Sequence, residues 1–281
     1  MPTQKSVVIT GASTGIGRAC ALHMDALGWH VFAGVRREAD AESLRREASG
    51  QLTPIFLDVT DARSIREAHS AVETSLGASG LAGLVNNAGI AYGGPVELLD
   101  LDELRRAFEV NFFGLIAVTQ AFLPLLRAGR GRVVNMSSVS GMVASPFLSP
   151  YTTSKWALEA LSDALRVELK PWDIKVSVVQ PGAIDTPIWS KGLRTANTIR
   201  ERVPNERLTM YAAAVSSIEA GLQPHGIAPE YVARAVADAL ASGQPRTRYT
   251  VGKDAAIVRL FQRLPDRIRD AFFLRRLRRR H

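Results

Sequence analysis

Cysteine is almost missing from this 281-residue sequence, with Cys20 standing alone. A lone thiol excludes an intrachain disulfide framework and a zinc site built on cysteines, and it suits a reducing compartment. His23, His30, His69, His225 and His281 share no ligand spacing, so no metal is expected. Long apolar runs are lacking too. The longest, residues 110–126, is interrupted by Asn111, Thr119, Gln120 and Pro124 and falls short of the roughly 20 residues that span a bilayer, so it reads as a buried helix. The opening MPTQKSVVIT enters a short apolar run without the h-region or cleavage site of an export signal, which reads as cytoplasmic. Linkers rich in Pro, Gly or Ser, low-complexity tracts and short repeats are missing as well, so one domain is the simplest organisation.

What is present is an ordinary globular composition, 46% hydrophobic and 22% charged, enough for a substantial core. The net charge of +8 is concentrated in one place. Residues 259–280 hold nine arginines against two aspartates, leaving 26 of the 35 basic and 25 of the 27 acidic groups for the rest. A nearly neutral body argues against a nucleic-acid binder.

Short β-rich runs recur at residues 7–10, 30–35, 54–57, 81–86, 132–137, 174–180 and 248–251. Helical patterns fill residues 16–27, 62–76, 101–126 and 152–170, and Pro229 with Glu230 opens one more helix. Strands alternating with helices predict right-handed βαβ units and a parallel sheet covered on both faces, an α/β fold. Residues 187–226 break the rhythm, with Trp189, Leu193, Ile199, Met210, Tyr211 and Ile218 scattered among polar residues. An insertion that apolar in a compact chain reads as a lid over a binding site.

Directly after the first run comes Thr10-Gly11-Ala12-Ser13-Thr14-Gly15-Ile16-Gly17, opening a helix. Glycines permit a tight turn and close backbone approach, and the free N–H groups and positive end of the helix attract a pyrophosphate. The second strand should end beside the adenosine ribose, where an acidic residue would accept from the hydroxyls of NAD. Val35 is there instead, followed by Arg36 and Arg37. Guanidinium groups in place of a carboxylate favour the 2′-phosphate of NADP(H), through Arg36, with NAD(H) remaining open.

Tyr151, Ser154 and Lys155 read Y-x-x-S-K at the start of a predicted helix, with Ser138 thirteen residues upstream. Positions i and i+4 share a helix face, so the Lys155 ammonium is expected beside the Tyr151 phenol, pulling it from its ordinary value of about 10 toward the working pH.

Together with Asp58, Asn86-Asn87-Ala88-Gly89, Asn111 and Pro181-Gly182, these motifs in this order make the chain resemble the short-chain dehydrogenase/reductase family, from about residue 5 to residue 251. The resemblance implies a single-domain, Rossmann-type doubly wound sheet of about seven parallel strands, helices on both faces, over residues 1–252. It implies Asp58 and Val59 near the adenine, Asn87, Ala88 and Gly89 along the ribose, and Pro181, Gly182 and Thr186 around the nicotinamide. It makes Asn111, Ser138, Tyr151 and Lys155 a catalytic set: Tyr151 the general acid/base, Ser138 a hydrogen-bond donor to the reacting oxygen, Lys155 a partner of phenolate and ribose, and Asn111 the holder of a water. Asp58 also reads as a helix N-cap, and Asn86 as structural.

Met142, Val143, Phe147 and Leu148 lie between Ser138 and Tyr151, and Trp189 opens the insertion, so the pocket is expected to take a hydrophobic secondary alcohol or ketone, with Ser138, Phe147, Tyr151 and Trp189 touching it. The stretch resembles the branch holding retinol, 17β-hydroxysteroid and 3-hydroxybutyrate dehydrogenases, which implies a homodimer or homotetramer. Residues 253–281 repeat Ile257, Leu260, Phe261, Leu264, Ile268, Ala271 and Phe272 at helical intervals among arginines, split by Pro265. Such a tail either packs on the body or touches anionic membrane peripherally. The competing reading of the whole is a non-catalytic NADP(H)-sensing module.

Overall fold

A computed structural model describes residues 4–77, 79–219 and 226–278. Seven strands form one sheet: β1 (Ser6–Ile9), β2 (His30–Val35), β3 (Leu52–Phe56), β4 (Gly83–Asn86), β5 (Arg132–Met136), β6 (Lys175–Pro181) and β7 (Arg248–Val251). Every pairing is parallel, and the spatial order is β3-β2-β1-β4-β5-β6-β7. All seven expected strands are present. β3 begins two residues early and carries Pro54 opposite Ala33, which an edge strand tolerates because one side of it makes no ladder bonds.

Around the sheet wrap α1 (Gly15–Ala26), α2 (Glu38–Glu47), α3 (Ala62–Leu76), α4 (Leu101–Phe108), α5 (Gly114–Gly129), α6 (Ser149–Glu168), α7 (Ile188–Arg200), α8 (Asn205–Glu219), α9 (Glu230–Ala241), α10 (Lys253–Phe261) and α11 (Asp266–Arg278). Alternation along the strands sorts the core into two halves. Val7 and Ile9 meet Cys20, Met24, Val236 and Leu240 of α1 and α9, whereas Val8 meets Val72, Phe122 and Leu126 of α3 and α5. The fold is therefore the doubly wound Rossmann-type sheet, both faces covered.

The helix expected over residues 101–126 is three pieces. Between α4 and α5 the backbone widens into a π turn, Glu109–Phe113, which turns Asn111 inward and leaves it 1% exposed. Among the described residues, Leu101–Gly129 is the one helical stretch long and apolar enough to cross a membrane, and 44% of its most apolar window is buried inside the protein.

α2 has no counterpart in the sequence reading, because only Ala41 and Leu44 of its ten residues are buried. The stretch read as a lid contains α7 and α8, with residues 220–225 outside the described part. A parallel bridge from Ile184 to Ile227 ties its base together. The tail breaks at Pro265 into α10, which packs on β7, and α11, which packs on α8.

Strand order reverses between β1 and β4, since β1 leads outward to β2 on one side and β4 leads to β5 on the other. A crevice opens there at the carboxyl ends of the strands.

Candidate active site

The crevice floor is the turn between β1 and α1. Gly11 has φ +65°, and a Cβ on it would stand 2.8 Å from Ala88 Cα. A Cβ on Gly17 would fall 2.2 Å from the Gly11 carbonyl oxygen, so α1 approaches the turn as closely as backbone allows. Thr14 precedes the helix in extended conformation without capping it through its side chain, and no acid occupies the first turn. The first N–H groups of α1 are therefore left to face an anion. The end of β4 is strapped to this turn: Asn87 N and Ala88 N both donate to Thr10 Oγ1 at 2.9 Å, and Asn87 Nδ2 donates to the carbonyls of Thr10 at 2.9 Å and Gly11 at 3.1 Å. Lys191 of α7 reaches over and donates from Nζ to Thr14 Oγ1 at 3.3 Å. Sequence reading missed this second cation, because nothing in an irregular insertion marks which lysine folds back.

At the end of β2, Arg36 stays 71% exposed with its Nη1 3.8 Å from Asp58 Oδ2. Arg37 points elsewhere, paired with Asp40 of α2 at 2.9 Å. Partial burial raises the Asp58 carboxyl, yet hydrogen bonds from Thr60 and the nearby Arg36 charge bring it below the usual carboxylate range. Asp58 is not the N-cap of α3. That bond belongs to Asp61, whose Oδ1 accepts from Arg63 N at 2.8 Å, while Asp58 Oδ1 accepts from Thr60 N at 3.0 Å and Thr60 Oγ1 at 2.7 Å.

The crevice wall is the first turn of α6, where Pro150 suits the first turn and Tyr151 and Lys155 share the inward face. Both are buried, Tyr151 at 7% exposure and Lys155 at 4%. The Lys155 Nζ donates to the Met136 carbonyl at 2.8 Å and lies 5.6 Å from the centre of the Tyr151 ring. Its electrostatic effect differs from expectation. Burial pushes the Tyr151 phenol above its ordinary value, and the group opposing that rise is the Ser138 hydroxyl, not Lys155. Burial also pulls Lys155 down to about 8, held from falling further by the charge of Glu159.

Glu159 is a second residue that the sequence reading overlooked, one further turn along the same helix face. It is buried, accepts from Gln180 Nε2 at 2.9 Å and from Arg248 Nε at 3.1 Å, and Arg248 in turn reaches Asp163 at 2.8 Å. Asn111 is fixed from all sides: its Oδ1 accepts from Ile90 N at 2.8 Å, and its Nδ2 donates to Ile90 O and Ser154 Oγ at 2.9 Å each. Its amide is thus engaged with Ile90 and Ser154. Asn86 bridges Thr119 and Asn135 at 2.9 Å each, a structural tie between β4, α5 and β5.

One cleft of about 330 Å³ gathers Gly11, Ser13, Thr14, Gly15, Ile16, Gly17, Arg36, Asp58, Val59, Asn87, Ala88, Gly89, Ser138, Tyr151, Lys155, Pro181, Gly182, Thr186 and Trp189. The Trp189 ring meets that of Tyr151 edge to face at 5.3 Å. Asn111 and Phe147 are not in its lining. Asn111 sits behind Gly89, and Phe147, held at φ +62°, faces a separate small cavity.

The short chain dehydrogenase family model matches residues 5–197. A protein of Ornithobacterium rhinotracheale named NADPH-dependent 3-dehydrocapnine reductase is 34% identical over 276 residues, covering 96% of each chain. Human retinol dehydrogenase 5 is 39% identical, across 90% of this chain and 82% of its own length. A solved short chain dehydrogenase from Burkholderia cenocepacia in complex with NADP superposes with a TM-score of 0.74 at 25% identity, over 96% of this chain and 98% of that one. A glycine turn at the switch point, a buried Tyr-Lys pair facing it and relatives of this kind place the chain in the short-chain dehydrogenase/reductase family, as an NAD(P)-dependent oxidoreductase.

Proposed function

We propose that the protein interconverts a hydrophobic secondary alcohol with its ketone, using NADP(H), with Tyr151 as general acid and base. The observation that carries this reading is the meeting of Tyr151, Ser138 and Lys155 with the glycine turn in one cleft. The residues fit a dinucleotide: the turn has no room for side chains at Gly11 and Gly17, and the open end of α1 suits a pyrophosphate. The nicotinamide supplies the hydride when bound; the protein aligns the partners and manages the proton. Asp58 and Val59 would hold the adenine end, Asn87 to Gly89 the ribose, and Pro181, Gly182 and Thr186 the nicotinamide end.

For carbonyl reduction, a phenol raised by burial is protonated near neutral pH and so ready to donate. Its proton passes to the substrate oxygen, and the Ser138 hydroxyl donates to the same atom, stabilising charge that develops there. The phenolate left behind is opposed by burial and eased by the Ser138 hydroxyl, with the Lys155 Nζ 5.6 Å from the ring centre. Oxidation runs the same proton path backwards. Tyr151→Phe keeps the ring against Trp189 and removes the proton. Turnover followed at the NADPH absorbance should fall at least about a hundredfold while NADPH still binds; turnover near that of the parent would refute the role.

The cofactor preference rests on Arg36. β2 ends on Val35 rather than on a carboxylate, and the Arg36 guanidinium, mostly exposed and only loosely engaged by Asp58, is able to turn to a ribose phosphate. NADPH in one relative's name and NADP in one solved neighbour support the same choice. Arg36→Ala should raise the KM for NADPH about tenfold or more, the loss of a charged hydrogen bond, with little change for NADH. Equal changes for both cofactors would remove Arg36 from phosphate binding.

The tail extends this reading to a surface. Ile257, Leu260, Ile268 and Phe272 are exposed on α10 and α11 among arginines, and the rings of Phe261, Phe272 and Phe273 cluster at 5.1–5.9 Å. An apolar face edged by guanidinium groups suits peripheral contact with anionic lipid. Binding to phosphatidylserine vesicles should exceed binding to neutral ones and weaken about fivefold for each of Arg267→Gln and Arg275→Gln, about 1 kcal/mol per charge; equal binding to both vesicle types would contradict it.

A further inference from the structure

Behind the cleft lie two more spaces that neither the catalytic residues nor the dinucleotide would use. A small cavity of about 30 Å³ shares Tyr92, Trp189 and Gly192 with the cleft. It shares Gly93, Ala196 and Val215 with a third, partly open cavity of about 230 Å³ between α7, α8 and residues 93–99. Leu99, Ile199 and Leu208 are among the apolar walls of this chamber. Arg200 borders both spaces, its guanidinium engaged with Asn197 Oδ1 at 3.1 Å.

The small cavity is a neck with fixed walls. Phe147 is held at φ +62°, its carbonyl accepts from Gly94 N at 2.7 Å, and its ring meets Tyr211 edge to face at 6.2 Å. Leu148 lines it as well. A volume near 30 Å³ is far below the cavity of about 150 Å³ that takes a benzene ring, so the neck holds only a few chain atoms at a time. Fused rings do not fit such a passage. A chain of methylenes does. An apolar cavity of about 150 Å³ takes a benzene ring, so the chamber accommodates roughly nine carbon atoms.

We propose that the chamber between α7 and α8 is the tail-binding half of the substrate site, and that the substrate is a ketone or secondary alcohol carrying an unbranched alkyl chain that passes the neck beside Phe147 and Trp189. This deepens the oxidoreductase reading and rests on it for the position of the reacting carbon. Flexible chain, rather than polycyclic body, is the chemical class the neck admits.

The test uses the full chain, NADPH and a series of methyl ketones from butan-2-one to tetradecan-2-one, with a fused tetracyclic ketone in parallel. The expected kcat/KM rises about fourfold per added methylene, the factor for burying one CH2, and levels off once roughly ten carbons follow the carbonyl. Val215→Trp, at the junction of neck and chamber on a half-buried position, should move that plateau several carbons shorter; Ala212→Trp, on the exposed side of α8, reads the same if the first variant does not fold. A flat chain-length profile with active short ketones, an unmoved plateau in both variants, or the tetracyclic ketone outpacing dodecan-2-one overturns the chamber while leaving the enzyme reading intact. If no ketone turns over, calorimetric binding of dodecan-2-one that Val215→Trp removes supports the chamber and sinks the catalytic reading, and no binding at all overturns both.

Discussion

A buried ammonium holds this site together. Lys155 has lost nearly all contact with water, which is costly for a charge unless its surroundings replace hydration. They do so from two directions, through the Met136 carbonyl at the end of β5 and through the field of Glu159 one turn further along α6. Glu159 is itself buried and would be a liability without Gln180 of β6 and Arg248 of β7. The cation beside Tyr151 thus depends on three neighbouring strands and one helix being in register. It is a property of the sheet's second half rather than of a local motif.

The same dependence explains how the fold divides its labour. The half built from β1 to β3 makes the phosphate turn, where close backbone approach leaves no room for side chains. The half built from β5 to β7 makes the acid–base pair, and β4 joins them through Asn86 and Asn87, which bond to elements on either side. Helices α7 and α8 stand over the cleft from outside the sheet, and α7 touches both halves of the site, through Lys191 on Thr14 and Trp189 against Tyr151.

Much of this was legible in the sequence because it is local. The glycine turn, the Tyr151-Lys155 spacing and all seven strands follow from patterns a few residues long. What escaped is what tertiary structure decides. Glu159 follows Lys155 by four residues and would ordinarily read as an exposed ion pair; only β6 and β7 closing over it make it a buried counter-charge. Tyr151 was expected to be depressed by its neighbouring lysine, yet the same burial that brings them together raises the phenol and lowers the amine. Asp58 read as the cap of α3, but that helix begins at Ala62 and Asp61, three residues further on, makes the bond. The neck and chamber join residues some hundred positions apart, beyond the reach of any periodicity.

The most direct test is to titrate the Lys155 ammonium by NMR in the intact protein, beside Glu159→Gln. Burial lowers its midpoint and Glu159 raises it, so the cation should be complete below, and lost above, a midpoint near pH 8, and the variant should titrate lower still. A midpoint at the ordinary lysine value of about 10.4, unmoved by the substitution, would contradict the account.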